Sequence, residues 1–306
     1  MSDIQPKIGI AFGGGGAKGL AQIGIMKVLE KYNIKISSVA GTSAGAVIGG
    51  GIALGYRAEE IFQKIKDGIG NGKVTRISNL AILSESLIKD EAINKGIKSV
   101  FGDKTFKDLK IPFLATAVDL ESGEEVVIKD GKLWEAARAS SAIPFIISPY
   151  FLKGRYLVDG GLLNNVPVDR IREQKNIDIV IGIELGGMTS RQYISGMIWE
   201  KYHKKPANFK YLPSVIARWK TNTTLMAHVM LRSLDILRER ELKARYKKAH
   251  PDIIIRPKLE NISLLDFGKY QEAIDAGADA AEKIIPDLLK LMGEKRLKTV
   301  ENGKKE

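Results

Sequence analysis

The strongest constraint in this sequence is a serine held between two glycines where one kind of segment gives way to another: Val39-Ala40-Gly41-Thr42-Ser43-Ala44-Gly45. Upstream, residues 34–40 alternate and are rich in β-branched side chains, as a short strand is. Downstream, residues 44–54 are small and apolar and too numerous for one strand, which predicts a helix. A strand that turns directly into a helix leaves one residue at a sharp apex with its side chain presented for reaction. Glycines two positions away on each side let the two arms pass without a Cβ collision, the physical need behind Gly-x-Ser-x-Gly. Ser43 is therefore a candidate nucleophile, with Gly41, Thr42, Ala44 and Gly45 forming its elbow. Taken alone the pattern also fits an ordinary turn, so the rest of the chain has to decide.

The first element, Lys7-Ile8-Gly9-Ile10-Ala11-Phe12, reads as a buried strand. It runs into Gly13-Gly14-Gly15-Gly16-Ala17-Lys18-Gly19 and then a helix over residues 20–32. Gly14 to Gly19 satisfies G-x-G-x-x-G, which invites a dinucleotide reading with the pyrophosphate at the helix N-terminus. That reading also wants an acidic residue about 20 positions on, where Val39 and Ala40 stand instead. A Walker loop fails as well, because Lys18 is followed by Gly19 where that loop needs Ser or Thr. Two roles remain for the glycine run. It is a tight turn, or it aims several backbone N–H groups at a small developing anion, as acyl transfer requires when a carbonyl becomes tetrahedral.

A reactive serine needs a partner to take its proton. The histidines are His203, in a basic aromatic segment, His228, within a predicted helix, and His250, before Pro251. None stands in the short loop after a strand expected of a triad histidine. Residues 150–152 and 156–158 read as a hairpin through Lys153-Gly154-Arg155, and Asp159-Gly160-Gly161 follows it directly. An aspartate and two glycines at a strand end make a turn; the alternative is a general base. Such a base has to be partly desolvated, since an ordinary aspartate is too weak near neutrality.

Elsewhere, residues 113–119 and 124–128 form a predicted hairpin, with Asp119 as a strand-end residue. Residues 133–142 form a helix ending in small residues before Pro144, where Ser140 and Ser141 read as packing or capping groups. Strands are predicted at 177–185 and 252–256. Helices are predicted at 58–66, 86–100, 168–174, 224–246, with an apolar face of Met226, Val229, Met230, Leu234 and Leu237, and 270–292, with a frayed charged tail from Gly293. From 199 to 220 tryptophan, tyrosine and phenylalanine interleave with lysine and arginine. Such a segment suits a membrane headgroup region, and equally serves as a packing anchor for a long loop.

With no cysteine among 306 residues, disulfides, thiolate catalysis and cysteine zinc sites are excluded. The formal charge of +12 favours anionic partners such as an acidic lipid surface, although lysine-rich charge is also a solubility device. No zinc-finger spacing, RNA-binding aromatic signature or basic heptad region is present, so nucleic acid is not expected. The N-terminus is polar, and the longest apolar run, 44–54, is about half of the roughly 20 residues that span a bilayer. Those features predict a cytoplasmic protein, peripheral to membranes at most. A single α/β domain over 1–306 is expected, with a core over 7–185, a closing strand and helix over 252–292, and a helical, basic-aromatic insertion over 190–250.

With the glycine loop, the elbow and Asp159-Gly160-Gly161 in this order, the chain closely resembles the patatin-like phospholipases, the bacterial type in particular. The resemblance implies a mostly parallel central sheet flanked by helices, a variant of the three-layer α/β hydrolase fold. It implies hydrolysis of lipid acyl esters by a Ser–Asp dyad with no metal or other cofactor. Residue by residue, it implies Ser43 as nucleophile, Asp159 as base, Gly160 and Gly161 as the rest of the aspartate motif, and Gly14, Gly15, Gly16, Ala17, Lys18 and Gly19 as the oxyanion hole. Ala139-Ser140-Ser141-Ala142-Ile143-Pro144 and Leu162-Leu163-Asn164-Asn165-Val166-Pro167 look like the family's lesser blocks. The family most often opens its glycine motif with an acidic or polar residue, where this chain has Gly13. Two other readings stay open: an esterase or thioesterase for soluble acyl substrates, and a non-catalytic regulatory member that binds an acidic partner.

Overall fold

The computed structural model describes residues 5–69, 90–144, 146–186 and 214–302. Its centre is an eight-stranded sheet built from β1 (Ile8–Phe12), β2 (Ile36–Thr42), β3 (Phe113–Asp119), β4 (Glu125–Ile128), β5 (Tyr150–Leu152), β6 (Arg155–Asp159), β7 (Ile179–Ile183) and β8 (Ile253–Ile255). The strands lie in the order β5-β6-β3-β2-β1-β7-β8, with β4 paired to β3. From β8 to β3 the neighbours are parallel, and the β4, β5 and β6 pairings are antiparallel. The mostly parallel α/β architecture expected from the sequence is the one observed.

Alternation along the strands assigns the two faces. Ile8, Ile10 and Phe12 of β1 join one buried cluster with Val39, Ile179 and Ile181, while Ala11, Ala40 and Val180 join another on the opposite side. The first face is covered by α1 (Ala21–Lys31), α2 (Ala44–Ala53), α3 (Ala58–Ile69), α4 (Asp90–Phe101), α5 (Leu133–Ser140) and α8 (Tyr270–Asn302). The second carries α6 (Val168–Arg172) and α7 (Ser214–Ala249). β1 is buried on both faces, which is why it reads as a near-continuous apolar run, whereas β2 carries Ser37 and Ser38 and is only half-buried at Ile36 and Ser37.

Several boundaries depart from the sequence reading. β2 runs on to Thr42, so the strand ends immediately before Ser43. α8 continues to Asn302, through the stretch predicted to fray, because Glu, Lys, Leu and Arg beyond Gly293 are good helix formers. α7 begins at Ser214, ahead of the predicted start at 224, and Leu237 is 61% exposed while Asp235, Leu242 and Ala249 are buried. The inward stripe is thus rotated from the apolar one, and it is partly charged. The side chains of Met226, Val229 and Met230 and all of residues 199–213 lie outside the described residues. Among the described residues no helix is long and apolar enough to cross a membrane.

α1 and α8 cross in unusually close contact, because each supplies a glycine at the crossing. A Cβ at Gly24 would collide with the Ile274 carbonyl oxygen, and one at Gly277 with that of Ala21. Neither obstacle can swing away, since both are backbone. Gly24→Ala and Gly277→Ala should each destabilise the fold by about 1–3 kcal/mol, read as a lower midpoint of urea unfolding. Gly293→Ala meets open space, so by the entropy of the unfolded chain it should stabilise by about 0.4–1 kcal/mol.

Candidate active site

The edge of β3 decides what meets at the sheet's centre. Thr116 pairs with Thr42 of β2 on one side and Val127 of β4 on the other; Ala117 pairs with Val126 of β4 and with Asp159 of β6. β4 occupies one edge throughout, so β2 and β6 share the other edge in succession and meet end to end. The last residue of β6 therefore faces the residue that follows β2. Those residues are Asp159 and Ser43.

Ser43 occupies the elbow with φ 56° and ψ −124°, in the left-handed half of conformational space, where a side chain is strained by about 1–3 kcal/mol. Several buried polar contacts hold it there. Its N–H donates to Ser140 Oγ at 2.8 Å, and that hydroxyl donates to the Thr116 carbonyl at 2.6 Å. Beneath it, Thr42 Oγ1 lies 2.7 Å from Thr116 Oγ1 and donates to the Asn164 carbonyl at 2.8 Å. A Cβ at Gly41 would lie 2.5 Å from the Gly45 carbonyl oxygen, which is the close pass of strand and helix read from the spacing.

Asp159 is 4% exposed and Ser43 3% exposed; both line one cavity, and the Ser43 hydroxyl is close enough to the carboxylate to pull its pKa down against the rise that burial causes. Asp159 Oδ1 also accepts the Gly161 N–H at 2.7 Å, and the Asp159 N–H donates to the Ala142 carbonyl at 2.9 Å. Burial pushes the carboxyl above the ordinary aspartate range, against the opposing pull of the Arg238 charge, the Ser43 hydroxyl and the Gly161 N–H. The group is thereby more basic than a free aspartate while remaining polarised toward the serine.

The glycine loop follows β1. In it the Gly13 N–H donates to the Ile183 carbonyl at 3.1 Å, Gly14 to Asn165 at 3.1 Å, Ala17 to Leu264 at 2.8 Å and Lys18 to Gly15 at 3.1 Å. Among the described residues, the N–H groups of Gly15 and Gly16 have no hydrogen-bonding partner within the chain. Of the six loop residues named from the sequence, Gly14, Gly15, Gly16 and Lys18 line the same cavity as Ser43 and Asp159. Gly19 lines a neighbouring cavity, and Ala17 is buried.

Two cavities meet at Ser43. One, of about 80 Å³, is the more polar of the two: beside aliphatic walls such as Leu162, Leu234 and Leu264 it holds Asn165, Glu184, Asp235, Arg238 and Glu239. The other, of about 180 Å³, is walled by aliphatic side chains, among them Val47, Ile48, Ile93, Ile97, Ile146 and Ile147. Burial pulls the Lys18 ammonium below the ordinary lysine range, against the attraction of Asp235 and Glu260. Asp119 stands apart from both cavities; it accepts the Glu121 N–H at 3.1 Å and faces Arg155 at 3.8 Å.

Sequence reasoning left the roles of three contributors unassigned. Ser140 reads from sequence as packing or capping, and it is the group that accepts the Ser43 N–H. Asn165 interlocks with the glycine loop, donating from Nδ2 to the Gly14 carbonyl at 3.4 Å while its own carbonyl accepts the Gly14 N–H. Arg238 reaches the cavity from α7, more than two hundred residues after the loop. The first two sit beside motifs and could have been suspected. Arg238 carries no local signal beyond being a charge on an otherwise half-apolar helix face.

The Patatin family model, described as patatin-like phospholipase, matches residues 10–172, more than half of the chain. Lysophospholipase NTE1 of Kluyveromyces lactis is 29% identical over 277 residues, which cover 88% of this chain and 18% of the yeast protein. An uncharacterised NTE family protein of Mycobacterium bovis is 35% identical over 183 residues, 60% of this chain and 50% of that protein. The chain thus spans half or less of the length of these relatives. Among solved structures, VipD from Legionella pneumophila aligns over 92% of this chain and 67% of its own with a TM-score of 0.49 at 14% identity.

Ser140→Ala would leave the buried Ser43 N–H without its acceptor, which should cost about 1–3 kcal/mol of stability. Loosening of the strained apex should lower kcat more than it raises KM. Thermal melting and ester kinetics on the same preparation check both effects.

Proposed function

Because the chain belongs to the patatin-like phospholipase family, we propose that it is a serine acyl hydrolase that cleaves lipid esters through Ser43 and Asp159. The observation that carries the reading is that Ser43 and Asp159 line one cavity that holds several charged groups, and that Ser43 also opens onto an aliphatic one. An ester of a fatty acid has the same division: a long apolar acyl arm, a carbonyl, and a polar alcohol. The acyl arm lies along the aliphatic groove and the alcohol in the polar pocket, which sets the carbonyl over Ser43.

Asp159 takes the hydroxyl proton as Ser43 Oγ attacks the carbonyl carbon, and the carbonyl π pair moves onto oxygen. Gly15 and Gly16 supply the donors for that oxyanion, a narrower hole than the six-residue loop, since the N–H groups of Gly14, Ala17 and Lys18 are already bonded. The N-terminus of α2 opens at Ser43 and favours negative charge there. Collapse of the tetrahedral species breaks the C–O bond to the alcohol, whose oxygen takes the proton from Asp159. Water then attacks the acyl-enzyme with Asp159 again as base, and Ser43 recovers its proton as the fatty acid leaves. Lysophospholipids are the first substrates to try, given the name of the yeast relative. Simple esters share the reacting group and serve as the reporter.

Ser43→Ala and Asp159→Asn should each lower hydrolysis of a p-nitrophenyl ester and of lysophospholipid by at least about 10³-fold, in line with loss of a nucleophile or its base. Wild-type rates in either variant would sink the reading. Turnover of dispersed esters with none of lysophospholipid would leave a soluble esterase. A second expectation follows from electrostatics. The folded-state pKa of Asp159 is raised, so the proton binds the folded chain more tightly, and stability is lost as pH rises from the unfolded value through the folded one. Removing the charge should therefore make Asp159→Asn melt higher than wild type at pH 8, with the gap closing toward acid pH.

A further inference from the structure

α7 lies wholly beyond the family-matched residues 10–172, yet it forms one wall of the polar cavity. Its grip on the site is built at two levels. Near its C-terminal end Arg245 donates to Asp169 at 2.6 Å and to the Leu163 carbonyl at 2.9 Å, and pairs with Glu125 at 3.0 Å. These bonds clamp the helix to the block that follows the aspartate motif. Two turns earlier, Arg238 Nη2 donates to Asn165 Oδ1 at 2.6 Å, and Nη1 lies 3.4 Å from Asp235 Oδ1. Asn165 is the residue already interlocked with Gly14.

The second glycine of Asp159-Gly160-Gly161 explains how the guanidinium gets so close. A Cβ at Gly161 would fall 2.8 Å from Asn165 Oδ1 and 2.9 Å from Asp159 Oδ1, and would collide with Arg238 Nη2. The arginine, the asparagine and the carboxylate thus crowd one methyl-sized gap that glycine leaves open. Arg238 makes no hydrogen bond to Asp159 itself among those observed; its action on the carboxylate is through charge.

We propose that Arg238 is a positioning residue of the hydrolytic site, holding the Asn165 anchor of the glycine loop and supplying the positive field in which Asp159 stays ionised. The proposal rests on the Ser43–Asp159 reading above. The charged groups that share the cavity with Asp159 are Arg238, Asp235 and Glu239 from α7, Lys18 from the glycine loop and Glu184 after β7. Asp235 is bound to Arg238 and Glu239 pairs with Arg232 at 3.5 Å, while Glu184 pairs with Arg256 at 3.0 Å. Without Arg238 only the Ser43 hydroxyl and the Gly161 N–H would oppose the desolvation of Asp159. Protonated Asp159 would then be favoured, and a protonated base cannot accept from Ser43.

The test is the pH profile of kcat/KM for a p-nitrophenyl ester, measured on the full chain for wild type, Arg238→Gln, Arg238→Lys and Ser43→Ala. Arg238→Gln should move the acid limb upward by about one pH unit, the scale of one opposite charge at this range, so that the deficit is largest at acid pH and shrinks as pH rises. Arg238→Lys keeps the charge and loses the fork; its acid limb should stay with wild type while kcat falls. An acid limb unmoved in Arg238→Gln, with an equal loss at every pH, overturns the proposal, as does a shift in Arg238→Lys as large as in Arg238→Gln. If Arg238→Gln does not melt cooperatively, Asp235→Asn decides. It strips the partner that partly discharges Arg238, so the limb should move to lower pH, and an unmoved limb overturns the proposal. Activity surviving in Ser43→Ala would instead overturn the underlying hydrolase reading, which keeps the two failures apart.

Discussion

The pairing edge of β3 is the constraint on which the rest depends. A parallel strand and an antiparallel strand take that edge one after the other, at Thr116 and then Ala117. The seam between them leaves a short stretch of sheet edge where two chain ends point at each other. A hydroxyl ends one and a carboxylate ends the other. Strand register is fixed by burial on both faces, because a slip of one residue would turn Val39 and Ala40 to the wrong layers. The meeting of Ser43 with Asp159 is therefore enforced by the core, and no flexible loop has to find it.

That arrangement puts two costs into the fold. Ser43 sits in a backbone conformation that side chains avoid, and Asp159 is a carboxylate removed from water. Both are offset locally. Ser140 and Thr42 satisfy the backbone and hydroxyl groups under the apex, and Gly161 and Arg238 oppose the desolvation of the carboxylate. A site held this way is preorganised before substrate arrives, which is the condition under which fixed dipoles accelerate acyl transfer. The same reasoning explains why the loop has donors to spare. Several of its N–H groups are tied to Ile183, Asn165 and Leu264, and those ties hold Gly15 and Gly16 free and in place.

The sequence made the inner strands and the elbow legible because β1 is a buried apolar run, β2 alternates into its elbow, and the turn that follows admits only small residues. β1, β2, the hairpin of β3 and β4, and the hairpin of β5 and β6 stand close to where the pattern put them. The order of the glycine loop, the serine and the aspartate was legible for the same reason, since each stands at a strand end. The face of α7 was legible only in part: Leu234 lines the cavity as its apolar periodicity predicts, Leu237 is exposed, and the observed inward stripe also takes in Asp235, Arg238 and Leu242. A helix that packs on a charged site buries charge, which a rule that looks only for apolar faces does not register. The extension of α8 was missed for a milder reason: Gly293 looks like a stop but faces open space inside a run of strong helix formers.

Distance along the chain is thus no guide to membership of the site. Asn165 is bonded both to Arg238 and to a loop that ends at Gly19, and α7, joined to the core by Arg245, walls the pocket that holds Ser43 and Asp159. The central claim is that one hydroxyl, Ser43, is made nucleophilic by the buried carboxylate of Asp159 that faces it. Its most direct measurement is intact mass and peptide mapping after reaction with a fluorophosphonate carrying an alkyl chain. The account predicts a single adduct, on Ser43, formed at a rate that collapses in Asp159→Asn. An adduct on any other residue, or none on a protein that hydrolyses esters, would contradict it.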